Sequence, residues 1–138
     1  MPIWNRKCET MDHSEMQQLQ LELLQTTVNR VYRNVPFYHR KFEQLGIAPE
    51  EVQSLADIVK LPFTTKDDLR DGYPYEMFAV PLREIVRIHS SSSATAKPVV
   101  VGYTRNDLKH WADQTARVLS AAGVTKDDVV HIAFDYGL

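Results

Sequence analysis

The sequence predicts an α/β chain, with helices in its first part and the opening strands of a sheet after them. Three observations carry that prediction. Apolar residues recur at three and four positions from Ser14 to Val35, the spacing that lines one face of a helix. "EIVRIHS" and "PVVVGYT" are β-branched runs of strand character. Between them lies a serine-rich connection, Ser90 to Lys97.

Each element has a local reason. Ser14 with Gln17 forms a capping box for the first helix, whose stripe is Met16, Leu19, Leu23, Leu24, Val28, Val31, Tyr32 and Val35. Pro36 ends it, because proline disfavours helical geometry in the residue before it. Tyr38 to Leu45 is a second helix, stopped by a left-handed Gly46. Ser54 with Asp57, and Thr65 with Asp68, pair a hydroxyl with an acid three residues on and predict two short helical turns. Pro62 separates them and Gly72 closes the second. Thr104 with Asp107 starts a longer helix that turns Leu108, Trp111, Ala112, Thr115, Val118, Leu119 and Ala122 inward, and Gly123 ends it. "DDVVHIAFDYGL" reads as a buried strand emerging into a loop.

The expected division is a helical subdomain over residues 1–75 and the start of an α/β domain over 76–138. Two or three strands with one clear helix are too few to cover both faces of a sheet. The expectation is therefore an incomplete domain, the front part of a larger protein or a truncated copy. The alternative is that the N-terminal helices fold over the sheet themselves.

Composition narrows the function classes. With 138 residues, 43% of them hydrophobic, the chain is long enough for one ordinary core. A net charge of −2 with interspersed signs excludes the concentrated basic face that nucleic acid or an anionic membrane requires. Cys8 is the single cysteine, which rules out an intrachain disulfide and fits a reducing compartment. No two histidines have helix-face ligand spacing, so no metal site is expected, and His13, His39 and His110 are expected to face solvent. No apolar run approaches the roughly 18 residues of a membrane span, and "MPIWNRKCETMDHSEM" lacks a signal-peptide core. A cytoplasmic protein is expected.

The stretch "HSSSSATAKPVVVGYT" carries the most chemistry. Its hydroxyls and lysine suit an anion, yet no glycine precedes Gly102, and phosphate-cradling loops rely on glycine for close backbone approach. From residue types alone it is a nucleotide loop or a solvated turn.

The blocks "VYRNVPFYHRKFEQLGI", "LPFTTKDDLRDGYPYEMFAVPLREIVRIHSS" and "KPVVVGYTRNDL", in that order, resemble the N-terminal part of phenylacetate-CoA ligases. These belong to the acyl-adenylate-forming superfamily, and the likeness runs from about Trp4 to Leu138. The resemblance implies a helical N-terminal subdomain followed by the first strands and helix of an adenylate-forming ligase N-terminal domain. It implies activation of an aryl acid by MgATP to an acyl-adenylate, then transfer to coenzyme A. The complete enzyme would use ATP, Mg2+ and coenzyme A, and this chain's partner would be the remainder of the ligase.

The family's loop pattern, Ser-Ser-Gly-Thr-Thr-Gly-Lys-Pro, falls on Ser91 to Pro98. Ser91, Ser92, Thr95, Lys97 and Pro98 match, whereas Ser93, Ala94 and Ala96 replace two glycines and a threonine. The resemblance marks Ser91, Ser92, Ser93, Thr95 and Lys97 as nucleotide-binding candidates and Tyr136 and Gly137 as acyl-pocket candidates, with Asp135 at a position commonly glycine. It assigns this chain no catalytic residue: the adenylation lysine, the hinge and the ribose contacts belong to other parts of the family. The chain alone is thus not expected to catalyse the whole reaction. The alternative is a non-catalytic remnant or interaction module with a degenerate loop. Tyr73, Tyr75 and Phe78 are read as acyl-pocket wall or domain junction, and the stripe of the first helix as core, interdomain contact or homodimer surface.

Overall fold

The computed structural model describes residues 3–91 and 97–133. Among these described residues five α-helices run in chain order: α1 (Arg6–Glu9), α2 (His13–Asn34), α3 (Pro36–Leu45), α4 (Lys66–Asp71) and α5 (Arg105–Ala121). Strands β1 (Ile85–Ser90) and β2 (Val100–Thr104) fall between α4 and α5, and short 3-10 turns occupy Pro49–Glu51, Leu55–Lys60 and Leu82–Glu84. The mixed helical and two-stranded architecture agrees with the α/β expectation.

The first helix begins earlier than the sequence suggests. Asp12, not Ser14, is its N-cap, and its carboxylate accepts from the Ser14 N–H at 2.8 Å. Val35 leaves helical geometry at φ −119° and Pro36 opens α3, where its missing N–H costs nothing. Gly46 closes α3 in the left-handed region at φ 65°, as expected. The four-residue α1 was not anticipated; Asn5 caps it by accepting from the Cys8 N–H at 3.2 Å.

Helices α2 and α3 pack together and hold the core. Val28, Phe42 and Val52 are buried, with Leu24, Tyr32, Tyr38, Ile47 and Leu61 packed around them. The Gln25 amide anchors the turn beneath α2 by donating to the Val52 carbonyl at 2.8 Å. Lys41 ties α3 to the next segment, donating to the Phe63 carbonyl and to Asp68 Oδ2, both at 3.0 Å. His39, expected in solvent, is half-buried instead: its ring lies 4.4 Å from Tyr32 and its Nε2 3.3 Å from Glu43. The outer part of the α2 stripe, Met16, Leu19 and Leu23, stays exposed.

Two expectations fail at the far end. Val129 to Ala133 form no strand, and Val129 is 98% exposed. The run has strand composition, but among the described residues the sheet has two strands and none pairs with it. The inward face expected of α5 is likewise open: none of its residues is fully buried, and Val118 is 68% exposed. Besides packing on β2 through Trp111, α5 makes polar contact with the N-terminal segment. The Trp4 Nε1–H donates to Asp113 at 2.8 Å, and Arg117 lies 3.3 Å from Asp113 and 3.5 Å from Glu9.

Aspartates take part in the caps of α2, α4, α5 and the Leu55–Lys60 turn. Asp68 and Asp107 accept from the backbone and hydroxyl of Thr65 and Thr104, and Asp128 does the same with Thr125. The Lys60 ammonium, with the hydroxyl and N–H of Ser54, holds the Asp57 carboxyl far below the carboxylate range. The N–H of Thr65 and Lys41 lower Asp68, the Thr104 hydroxyl and N–H lower Asp107, and the Thr125 N–H and hydroxyl lower Asp128. A carboxyl depressed in the folded state contributes stability above its unfolded value, and that stability is lost as pH falls towards the folded value. Helical circular dichroism is therefore expected to stay flat from neutrality down to about pH 4, near the ordinary aspartate value, and to fall below it. A loss centred near pH 6 would contradict this account.

Candidate functional site

β1 and β2 form an antiparallel hairpin whose connection is the serine-rich loop. Ile88 faces Gly102, His89 faces Val101 and Ser90 faces Val100, with an irregularity between Ile85 and Arg87. The pairing continues one step beyond the strands. The Ser91 N–H donates to the Val99 carbonyl, and the Val99 N–H donates to the Ser91 hydroxyl oxygen, both at 3.0 Å. Ser91 and Val99 thereby clamp the base of the loop. Ser91 and Lys97 are both exposed at this end of the hairpin. The other nucleotide candidates, Ser92, Ser93 and Thr95, and the substituted Ala94 and Ala96, lie outside the described residues, as do Asp135, Tyr136 and Gly137.

Alternation along the strands gives the hairpin two faces. On one, Gly102 lies directly beneath the Phe78 ring. A Cβ at Gly102 would sit 2.6 Å from two Phe78 ring carbons and 3.0 Å from Ile85 Cδ1. A cleft of about 750 Å³ opens on this side, bounded by Arg30, Met77, Phe78, Val99, Val100 and Asp107. It reaches the loop through Val99, the residue that pairs with Ser91. In the aromatic segment after Gly72, Phe78 packs on the sheet, with Tyr75 at 5.4 Å from it.

Replacing Gly102 by alanine is expected to destabilise the chain by about 1–3 kcal/mol, because the Phe78 ring must move. A second change, Phe78→Leu, should recover part of the loss. Melting temperatures of the single and double variants decide this, and an unchanged Gly102→Ala protein would show that the ring yields freely.

The other face carries His89 and Tyr103, and Trp111 of α5 packs against them. The His89 ring meets Tyr103 edge-on at 5.2 Å and Trp111 at 6.0 Å, while Tyr103 and Trp111 stack at 5.3 Å. Sequence reasoning had no role for this group. The period of two that puts His89 and Val101 on one face, with Tyr103 beside Val101, was its signal. Among the described residues no cluster of three or more His, Cys, Asp or Glu side chains could hold a metal ion. Nor is any described helix long and apolar enough to cross a membrane.

No protein-family model matches the chain. Individual proteins do. It is 50% identical over 130 residues to the phenylacetate-coenzyme A ligase of Escherichia coli K12, covering 94% of this chain and 30% of that protein. The chain matches an N-terminal portion of the phenylacetate-CoA ligase family. The Pseudomonas putida phenylacetate-CoA ligase is 49% identical over 130 residues, and that of Thermus thermophilus 45% over 136, or 99% of this chain and 31% of that ligase. The chain therefore spans about 30% of the length of the curated ligases it matches. The fold agrees with CoA ligases of known structure. A 2-hydroxyisobutyryl-CoA ligase in complex with 2-HIB-AMP and CoA superimposes with a TM-score of 0.78 at 31% identity, over 86% of this chain and 26% of that one. The same ligase in the postadenylation state gives 0.80 at 30% identity, over 91% and 27%.

Proposed function

We propose that the chain supplies the phosphate loop and part of the acyl pocket of an AMP-forming aryl-acid-CoA ligase. The overall reaction is phenylacetate + ATP + CoA → phenylacetyl-CoA + AMP + diphosphate. The observation that carries this reading is the 45–50% identity to phenylacetate-CoA ligases along almost the whole chain.

The chemistry suits the residues. A carboxylate oxygen attacks the α-phosphorus, the bond to the β-phosphate breaks, and negative charge builds on the departing diphosphate. Such a step needs positioning and charge stabilisation more than a protein base. The Ser91 hydroxyl oxygen accepts from the Val99 N–H, and its own proton would be available for donation to a phosphate oxygen. Lys97 supplies a cation at the other arm of the loop. Ser92, Ser93 and Thr95 would add hydroxyl donors between them. Mg2+ would arrive with the nucleotide as MgATP, offsetting phosphate charge. Tyr136 and Gly137 would line the aryl-acid pocket, and residues 1–75 would form a helical subdomain ahead of the adenylation domain. The remainder of the ligase would supply the adenylation lysine and the ribose contacts.

One observation favours a second reading. Ser93, Ala94 and Ala96 replace residues of the family's loop pattern, which fits a non-catalytic remnant that keeps the fold. Pyrophosphate release from MgATP by the longest natural form of the protein separates the two. The ligase reading expects release that depends on phenylacetate. A folded protein that releases none supports the remnant.

A further inference from the structure

We propose that His89 is a positioning residue for the phosphate loop, acting through Tyr103 and Trp111 without touching the nucleotide. The inference rests on the ligase reading of the loop and names what holds its arms in place.

His89 stands two residues before Ser91 on the arm that enters the loop, and Tyr103 lies on the arm that leaves it. On this face the loop-proximal residues are His89 and Val101, and Val101, 42% exposed, lends little support. The imidazole bridges the gap by meeting both the Tyr103 ring and the Trp111 ring of α5. Trp111 in turn stacks on Tyr103, one residue before the Thr104 cap that starts α5. One aromatic group thus joins the entering strand, the leaving strand and the helix. Aromatic edge contacts of this kind have preferred geometry and resist sliding. If the group loosens, the Ser91–Val99 clamp loses its support on the helix side and the Ser91 and Lys97 arms part. The nucleotide should feel that change and the aryl acid should not.

The test uses the longest natural form of the protein. MgATP binding is followed by titration calorimetry, and pyrophosphate release is measured with MgATP and phenylacetate varied separately. His89→Ala is expected to weaken MgATP binding and raise its KM about three- to tenfold, with the phenylacetate KM unchanged. His89→Phe keeps a ring against Tyr103 and Trp111 and should restore most of the loss. Equal MgATP affinity in His89→Ala and the parent overturns the proposal. So do equal rises in both KM values, or a His89→Phe variant as weak as alanine, since the imidazole would then act directly. Should His89→Ala fail to fold, His89→Leu against His89→Phe makes the same comparison. A parent that binds MgATP but releases no pyrophosphate contradicts the ligase reading alone, and the binding arm then decides the role of His89. A parent that binds no MgATP overturns both.

Discussion

Returning glycine to positions 93 and 96 and threonine to 94 is expected to raise phenylacetate-dependent pyrophosphate release about a hundredfold. Two effects add. A left-handed backbone is natural to glycine and costs about 1–2 kcal/mol per residue with a side chain. A lost hydroxyl donor to a charged phosphate oxygen costs about 1.5–3 kcal/mol. Each 1.36 kcal/mol off a barrier is tenfold in rate, so one strained position and one lost donor at the lower ends of these ranges, about 2.5 kcal/mol together, approach two powers of ten. The variants Ala94→Thr alone and Ser93→Gly with Ala96→Gly apportion the gain between donor and backbone. No gain from the triple variant would remove the loop substitutions as a defect.

The second large effect is on stability. Phe42→Ala is expected to cost about 3–5 kcal/mol, the usual range for emptying a fully buried aromatic site. Phe42 is 2% exposed and sits between Val28 and Val52, with Tyr32 edge-on at 5.8 Å. Because few of the described residues are fully buried, little else offsets the cavity. A typical domain holds only about 5–15 kcal/mol in total, so the variant should unfold at much lower urea. Phe42→Leu, which keeps most of the volume, should lose less than half as much. Equal urea midpoints for Phe42→Ala and the parent would place the core elsewhere.

Much of the fold was legible because it is locally encoded. The hydroxyl-acid pairs Thr65 with Asp68 and Thr104 with Asp107 start helices α4 and α5 as read, and Gly46 adopts the left-handed stop. The two β-branched runs became the two strands. Failures came where a neighbour decides. Val129 to Ala133 have strand composition, but a strand exists only when another accepts its hydrogen bonds, and none does among the described residues. The α5 stripe is periodic yet open, since periodicity says which side is apolar and not what covers it. Asp12 took the cap from Ser14 because an aspartate two residues ahead of an N–H reaches it equally well.

The site was legible in part, and by a different route. Ser91 and Lys97 were marked by the family's loop pattern, and the structure puts both at the loop-bearing end of the hairpin. The Ser91–Val99 clamp, the Phe78–Gly102 contact and the His89–Tyr103–Trp111 group were not readable. Each joins residues whose meeting depends on strand register, which the sequence does not state.

The central claim is tested most directly by identifying products. The longest natural form of the protein, given phenylacetate, MgATP and coenzyme A, is expected to yield phenylacetyl-CoA and AMP in equal amounts, read by mass spectrometry. Formation of ADP in place of AMP, or no thioester from a well-folded protein, would contradict it.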